Sequence, residues 1–204
     1  YVINCRMYHQ DVWLDNKFSV QRMPEAKKTQ AIVSYAKAHP DDSGIVYCST
    51  RKKVDELFEE LSAAGVKAAK YKGDMSASQR ERFQRQFIND DVAVMVATNA
   101  FGMGIDKSNV RYVIHNNMPA SIEAYYQEAG RAGRDGEPAE CMLLWSDNDI
   151  RIQRLLIDNS TAQAADVEGS AQAGQGKQRL LSSMISYCHT TGCLRKFILS
   201  YFQD

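Results

Sequence analysis

The stretch that most constrains the fold is "VAVMVAT", residues 92–98, an unbroken apolar run with no polar partner face. Such a run is expected of a strand buried on both faces of a parallel sheet. Parallel strands cannot be joined by tight turns, so helical crossovers must lie between them. The sequence supplies both. "GIVYC" (44–48), "VKAAKY" (66–71), "VRYVIH" (110–115) and "AECMLLW" (139–145) read as further strands. Between them lie helical patterns. One runs from Pro24 to about Ala38. A second carries Val54, Leu57, Phe58, Leu61 and Ala64 at helical spacing, with Gly65 as its stop. A third opens with Ser76 and Gln79 in capping-box register and puts Phe83 and Phe87 on one face. A fourth spans Ser121 to Ala129, and "DNDIRIQRLLI" follows the last strand. This rhythm predicts an α/β fold, a doubly wound parallel sheet with helices on both faces, over residues 24–158.

Residues 1–23 show no clean period and are assigned only as a lead-in. Residues 159–176 are small and polar and read as a flexible linker. Residues 177–204 hold two short helical patterns joined by "HTTG", a short helical C-terminal segment. Lys+Arg and Asp+Glu both number 25, so any nucleic-acid contact must come from a local face rather than from bulk charge. No apolar run approaches membrane-spanning length. The five cysteines are scattered, with Cys48 and Cys141 inside apolar strands. That pattern favours a reduced, cytoplasmic protein over a disulfide scaffold.

Ligands of open α/β sheets bind beyond the carboxyl ends of the strands. There the sequence has Ser49-Thr50-Arg51 and Thr98-Asn99, hydroxyls and backbone N–H groups at helix starts that suit phosphate. Either group alone reads as an ordinary helix cap; both along one edge favour successive phosphates of a nucleic-acid strand. "FGMGIDKSNV" (101–110) adds Gly102, Gly104 and the carboxylate of Asp106, weak evidence by itself. In "YYQEAGRAGRDG" (125–136), Gly130 and Gly133 loosen a helix end and let Arg131 and Arg134 project. Arginine is the planar, bidentate phosphate ligand. The plain alternative is a solvated basic turn, with Asp135 and Glu137 pairing back to the arginines.

"GIVYCSTRKKVDEL", "YKGDMSASQRERFQRQF", "VATNAFGMGIDKSNVRYVIHNNMP" and "SIEAYYQEAGRAGRDG" together resemble the RecQ family of superfamily 2 DNA helicases. They come in the order of that family's motifs IV, V and VI, and the resemblance covers about residues 44–204. Gln127-Glu128 and Gly102-Met103-Gly104 separate the chain from the related DEAD-box pattern.

The resemblance implies a RecA-like second motor lobe. Arg134, and with it Arg131, match arginines that reach across a cleft to the γ-phosphate of ATP. Gly104 and Asp106 match positions that couple ATP to DNA, and Gln127 stands in the same nucleotide-side group. Ser49, Thr50 and Thr98 match positions facing the DNA backbone, and Arg51 and Asn99 join them from the strand-end reading above. ATP and Mg²⁺ are expected mainly on a first RecA-like lobe, because no GxxxxGK[ST] string and no metal-holding Asp-Glu motif occur in these 204 residues. The resemblance also implies 3′-to-5′ unwinding of duplex DNA in repair and recombination, a cytoplasmic location (nucleoid-associated in a bacterium) and no membrane partner. The tail resembles the start of the family's zinc-binding module. Cys193 matches its first ligand and the others lie further on, so zinc is expected in the longer protein and not here. The alternative is a stand-alone RecA-like domain that binds nucleic acid or a partner without turnover. A phosphate-binding loop upstream of Tyr1 would discriminate the two.

Overall fold

In this computed structural model, residues 2–3, 7–9, 12–14, 16–101, 107–163 and 170–203 are described. A seven-stranded sheet carries the chain, built from β1 (Val2–Ile3), β4 (Lys17–Arg22), β5 (Ser43–Tyr47), β6 (Ala68–Tyr71), β7 (Val94–Ala97), β8 (Val110–His115) and β9 (Glu140–Trp145). Its order is β1-β4-β9-β8-β5-β7-β6. The pairings from β4 to β6 are all parallel, and β1 is added antiparallel at one edge. β2 (Met7–His9) and β3 (Val12–Leu14) form a separate antiparallel pair. The fold is the doubly wound α/β class that the apolar runs predict, RecA-like as the family resemblance implies.

Alternation along the central strands divides the core in two. Val46 of β5, Val94 and Val96 of β7, and Tyr112 and Ile114 of β8 pack with α1 (Glu25–Ala38) and α2 (Arg51–Ala63). Ile45 and Tyr47, Met95 and Ala97, and Val113 face the other way. There they pack with α3 (Ala77–Ile88), α4 (Ile122–Ala129), α6 (Ser170–His189) and α7 (Leu194–Gln203). Every residue of β5 and β7 is buried, as strands covered on both faces require.

The helix ends follow the sequence closely. Ser76 and Gln79 form the reciprocal capping box at α3, Ser121 caps α4, and Gly65 takes a left-handed φ of 82° after α2. Two features depart from the reading above. β4 falls in the unassigned lead-in, yet it pairs in parallel with β9 over its whole length. Its signal is the alternation in "KFSVQR", which puts Phe18 and Val20 against the core. Helix also occupies parts of the 159–176 span read as a linker. α5 (Asp147–Gln163) continues past Asp158, and α6 begins at Ser170. Alanine and glutamine are good helix formers. Further along α6, Leu181, Met184 and Tyr187 are buried and anchor it.

Gly44 is required by packing. A Cβ there would lie 1.9 Å from the ring of Tyr112, which is itself fully buried and set edge-on against Tyr35. Gly44→Ala is therefore expected to lower the unfolding free energy by about 1–3 kcal/mol through overpacking. Chemical denaturation measures this, and an unchanged midpoint would show that the Tyr112 ring has room to move.

Candidate functional site

The carboxyl ends of β5, β7 and β8 make one polar edge. Beyond β5, Ser49, Thr50, Arg51 and Lys52 are exposed. Thr50 caps α2, its hydroxyl accepting from Lys53 N at 3.2 Å. Beyond β7, Thr98 is only 8% exposed, while Asn99 is open. Ser49 and Asn99 line a single cavity of about 310 Å³ together with His115, Asn117 and Glu128. Of the five residues predicted to face nucleic acid, the structure thus brings Ser49 and Asn99 into one hollow. Thr50 and Arg51 stand at its side on the start of α2, and the Thr98 side chain is largely buried beneath.

A buried ion pair holds this edge in shape. Lys28 of α1 and Asp149 of α5 meet at 2.9 Å with both side chains sequestered from solvent. Asp149 also accepts from Asn117 Nδ2 at 2.9 Å and from Ser146 N at 2.8 Å. Asn117 Oδ1 in turn accepts from Ser49 N at 3.3 Å. A charge on one helix is thereby linked through two side chains to the backbone of the phosphate-type loop. Sequence reasoning did not find Lys28, Asn117 or Asp149, because their partners lie 32 to 121 residues away in the chain.

The second part of the site is the end of α4. Gly130 N still donates to Tyr126 O at 2.9 Å, and the turn tightens through Arg131 N to Glu128 O and Ala132 N to Ala129 O. Gly133 then adopts a φ of 66°, its N–H donating to Val110 O at 2.9 Å. A Cβ on Gly133 would lie 2.7 Å from both Asn16 Oδ1 and the carbonyl of Glu137. This is a backbone position that favours glycine. The helix therefore ends in a fixed hook, which Asn16 closes by donating to Ala132 O at 3.0 Å.

Arg131 and Arg134 leave this hook differently. Arg134 is exposed, with Nε donating to Gly130 O at 3.4 Å. Arg131 is half-buried, and its Nε is sequestered without a hydrogen-bond partner among the described residues. Both line a cavity of about 420 Å³ with Gln127, Tyr126, Asn16 and Arg195. Asp135, weighed above as a partner for these arginines, is bound by Arg111 Nη2 at 2.6 Å. That bond holds its carboxyl below the usual range.

Between the two parts sit Tyr47 and His115. His115 Nε2 and Glu128 Oε2 are 2.8 Å apart, and the imidazole stacks on the Tyr47 ring. Burial raises the Tyr47 phenol above its ordinary range, while the Arg131 guanidinium beside it draws it back. Burial pushes the Cys48 thiol up to about 12, so this cysteine is a packing residue and no nucleophile. Gly104 and Asp106 lie outside the described residues. Cys193, just before α7, is disulfide-bonded, and no group of three or more metal-ligating side chains occurs among the described residues.

Comparison with known proteins follows the same division. Residues 27–136 match the helicase conserved C-terminal domain, and residues 147–204 match the RecQ zinc-binding region. The ATP-dependent DNA helicase RecQ of Bacillus subtilis is 46% identical over 177 residues, covering 87% of this chain and 29% of that protein. The RecQ-like DNA helicase BLM of Xenopus laevis is 44% identical, covering 82% of the chain and 12% of that protein. The chain thus spans less than a third of these relatives. Among solved structures, the Escherichia coli DEAD-box protein SrmB, bound to a regulator of ribonuclease activity, superposes with a TM-score of 0.61. It is 26% identical and covers 69% of this chain and 81% of that one. A DEAD box protein of Methanococcus jannaschii gives 0.58 at 28% identity, over 68% of this chain and 38% of that one.

Removing Asp149 leaves Lys28 buried with only the half-exposed Glu25 carboxylate, 2.9 Å away, as an ionic partner. Asp149→Ala is expected to cost about 3–5 kcal/mol of stability and to loosen the Ser49 loop. Denaturation together with amide exchange at Ser49 measures both, and wild-type protection at Ser49 would remove the link drawn through Asn117.

Proposed function

Because the chain belongs to the helicase conserved C-terminal domain family, in its RecQ branch, we propose that it is the second motor lobe of an ATP-dependent DNA helicase. In this reading Arg134 and Arg131 are arginine fingers for ATP held on a first RecA-like lobe, and the Ser49–Asn99 edge grips single-stranded DNA. The observation that carries the reading is the pair of guanidinium groups set with Gln127 around one cavity, on a helix end that Gly133 and Asn16 hold rigid. Two fixed cations flanking an open hollow suit a polyphosphate presented from another surface. The lack of a phosphate-binding loop in these 204 residues agrees with that, since the chain has the means to complete a nucleotide site and not to cradle one.

The chemistry follows from charge. As the γ-phosphoryl group is transferred, charge grows on its oxygens and toward the leaving group. A guanidinium aimed there stabilises the transition state more than the ground state. Arg134, exposed at the end of the hook, suits that task. Arg131, half-buried against Tyr47, suits a supporting grip on nucleotide or on lobe closure. Gly104 and Asp106 are proposed to link nucleotide to DNA, and Mg²⁺ would be held mainly by the first lobe. On the other face, Ser49, Thr50 and Asn99 offer hydroxyl, amide and backbone N–H groups to phosphates, Arg51 and Lys52 add charge, and Thr98 supports them from below. Unwinding from 3′ to 5′, and service in repair and recombination, rest on the family resemblance alone. Zinc, to which the match to the RecQ zinc-binding region points, is proposed for the longer protein.

Arg134→Ala in the longer protein is expected to lower kcat for ATP by about 10³-fold or more, the scale of arginine fingers in related phosphoryl transfers. Nucleotide Kd and melting temperature stay near wild type, because the side chain is exposed. Arg134→Lys rescues little, since a point charge cannot reproduce the fork. A near wild-type kcat in folded Arg134→Ala protein would reduce the hook to a solvated basic turn. The 204-residue chain itself is expected to bind single-stranded DNA weakly, with log K falling linearly as log salt rises. Tight binding indifferent to salt would rule out the phosphate contacts.

A further inference from the structure

Ala132 stands between the two arginines of the hook, and its carbonyl is held from a distant part of the chain. Asn16 Nδ2 donates to Ala132 O at 3.0 Å, with Asn16 4% exposed and Ala132 fully buried. The oxygen of the same side chain lies 2.7 Å from where a Cβ on Gly133 would be, so asparagine and glycine are in close contact. Asn16 is itself held from α7. The Arg195 guanidinium, on a residue only 3% exposed, donates to the Asn16 carbonyl and lies over the Phe18 ring, 5.4 Å from its centroid. Two buried hydrogen bonds in series therefore run from α7 to the residue that precedes Gly133 and Arg134.

Helix α7 grips α4 at both ends. At the start of α4, Glu123 accepts from the Tyr201 hydroxyl at 2.7 Å. Past its end, Asn16 relays the hold of Arg195 to Ala132. Leu194 and Ile198, on either side of Arg195, are buried in the core, so the helix that carries the guanidinium is anchored. The two arginines do not depend on this relay equally. Arg131 belongs to the last turn, its N–H donating to Glu128 O at 3.3 Å, whereas Arg134 comes after the left-handed Gly133. The direction in which Arg134 leaves is set by the backbone that Asn16 holds. A buried carbonyl that loses its donor has no water to replace it. Without Asn16, the Ala132–Gly133 peptide turns toward another partner and takes Arg134 with it.

We propose that Asn16 is a positioning residue that aims Arg134, and that Arg195 sets Asn16, so that the α7 segment governs the rate of ATP hydrolysis without touching the nucleotide. The proposal rests on the motor-lobe reading above. The bland account is an asparagine that only ties the start of β4 to the core. It predicts lost stability, with full activity in whatever protein remains folded.

The test uses the longer, two-lobed protein, with ATP hydrolysis measured per folded molecule in the presence of single-stranded DNA. Asn16→Ala removes the donor to Ala132 and leaves both arginines in place. It is expected to lower kcat by about 10- to 100-fold, the scale of a misplacement of about an ångström. KM for ATP changes little. Combined with Arg134→Ala, it lowers the rate no further than Arg134→Ala alone, because both changes act through one guanidinium. Wild-type kcat in folded Asn16→Ala, a raised KM with unchanged kcat, or losses that multiply in the double variant would each overturn the proposal. If Asn16→Ala does not fold, Arg195→Met gives the second arm, keeping a long apolar stem beside Phe18 and removing the head that holds Asn16. A lowered kcat at unchanged KM there supports the relay, and an unchanged kcat overturns it. Wild-type protein that hydrolyses no ATP, or full activity in Arg134→Ala, would refute the motor-lobe reading and this proposal with it. Normal behaviour of those two controls beside an unaffected Asn16→Ala refutes the role of Asn16 alone.

Discussion

When β5 and β7 bury every side chain, polar chemistry is driven to the ends of the strands. Helices α1 and α2 cover one face of the sheet, and α3, α4, α6 and α7 cover the other, so neither face is open to a ligand. At the carboxyl edge, by contrast, backbone N–H groups and helix starts converge. Ser49, Asn99 and Asn117 follow the carboxyl ends of strands for this reason, whereas Arg131 and Arg134 follow the end of α4. The Tyr47–His115 register carries the core's rigidity up to that edge. In the proposed reading, such a lobe presents two functional surfaces, one for phosphates of a strand and one for a nucleotide.

Most of the sheet was legible because the relevant signals are local. A continuous apolar run, a capping box and a stop glycine each depend on fewer than a dozen neighbouring residues. β4 was missed because it is only half-buried, and six residues of alternation fall below what a short window separates from noise. The 159–176 span was read by composition, which cannot see that Lys177 reaches Ser160 or that Tyr187 is buried further along α6. At the site, residue types were readable and environments were not. Arg131 and Arg134 look alike in sequence. In the fold one is half-buried and the other is open. Thr50 likewise reads as a phosphate ligand or a helix cap, and its hydroxyl does accept from Lys53 N. Lys28–Asp149 could not be seen at all, since nothing local distinguishes a lysine that will be fully buried from one that will not.

Gly133 illustrates how small the determinants are. Its left-handed φ and the absence of a Cβ let Asn16, from the lead-in strand region, close over the end of α4. Arg195 of α7 reaches the carbonyl of that same Asn16. The segment matching the RecQ zinc-binding region is thus packed beneath the arginine hook, and α7 also ties to α4 through Tyr201 and Glu123 at 2.7 Å. The C-terminal segment in this view is a buttress for the arginines as much as the start of another module.

The central claim is that the α4 hook delivers a guanidinium to phosphate bound on another lobe. The most direct measurement is a structure of the two-lobed protein with ADP, Mg²⁺, single-stranded DNA and a fluoride mimic of the transferring phosphoryl group. The account predicts the Arg134 guanidinium within about 3 Å of the mimic, with Arg131 beside it. A closed complex in which the first lobe alone surrounds the mimic, and Arg134 points into solvent, would contradict it.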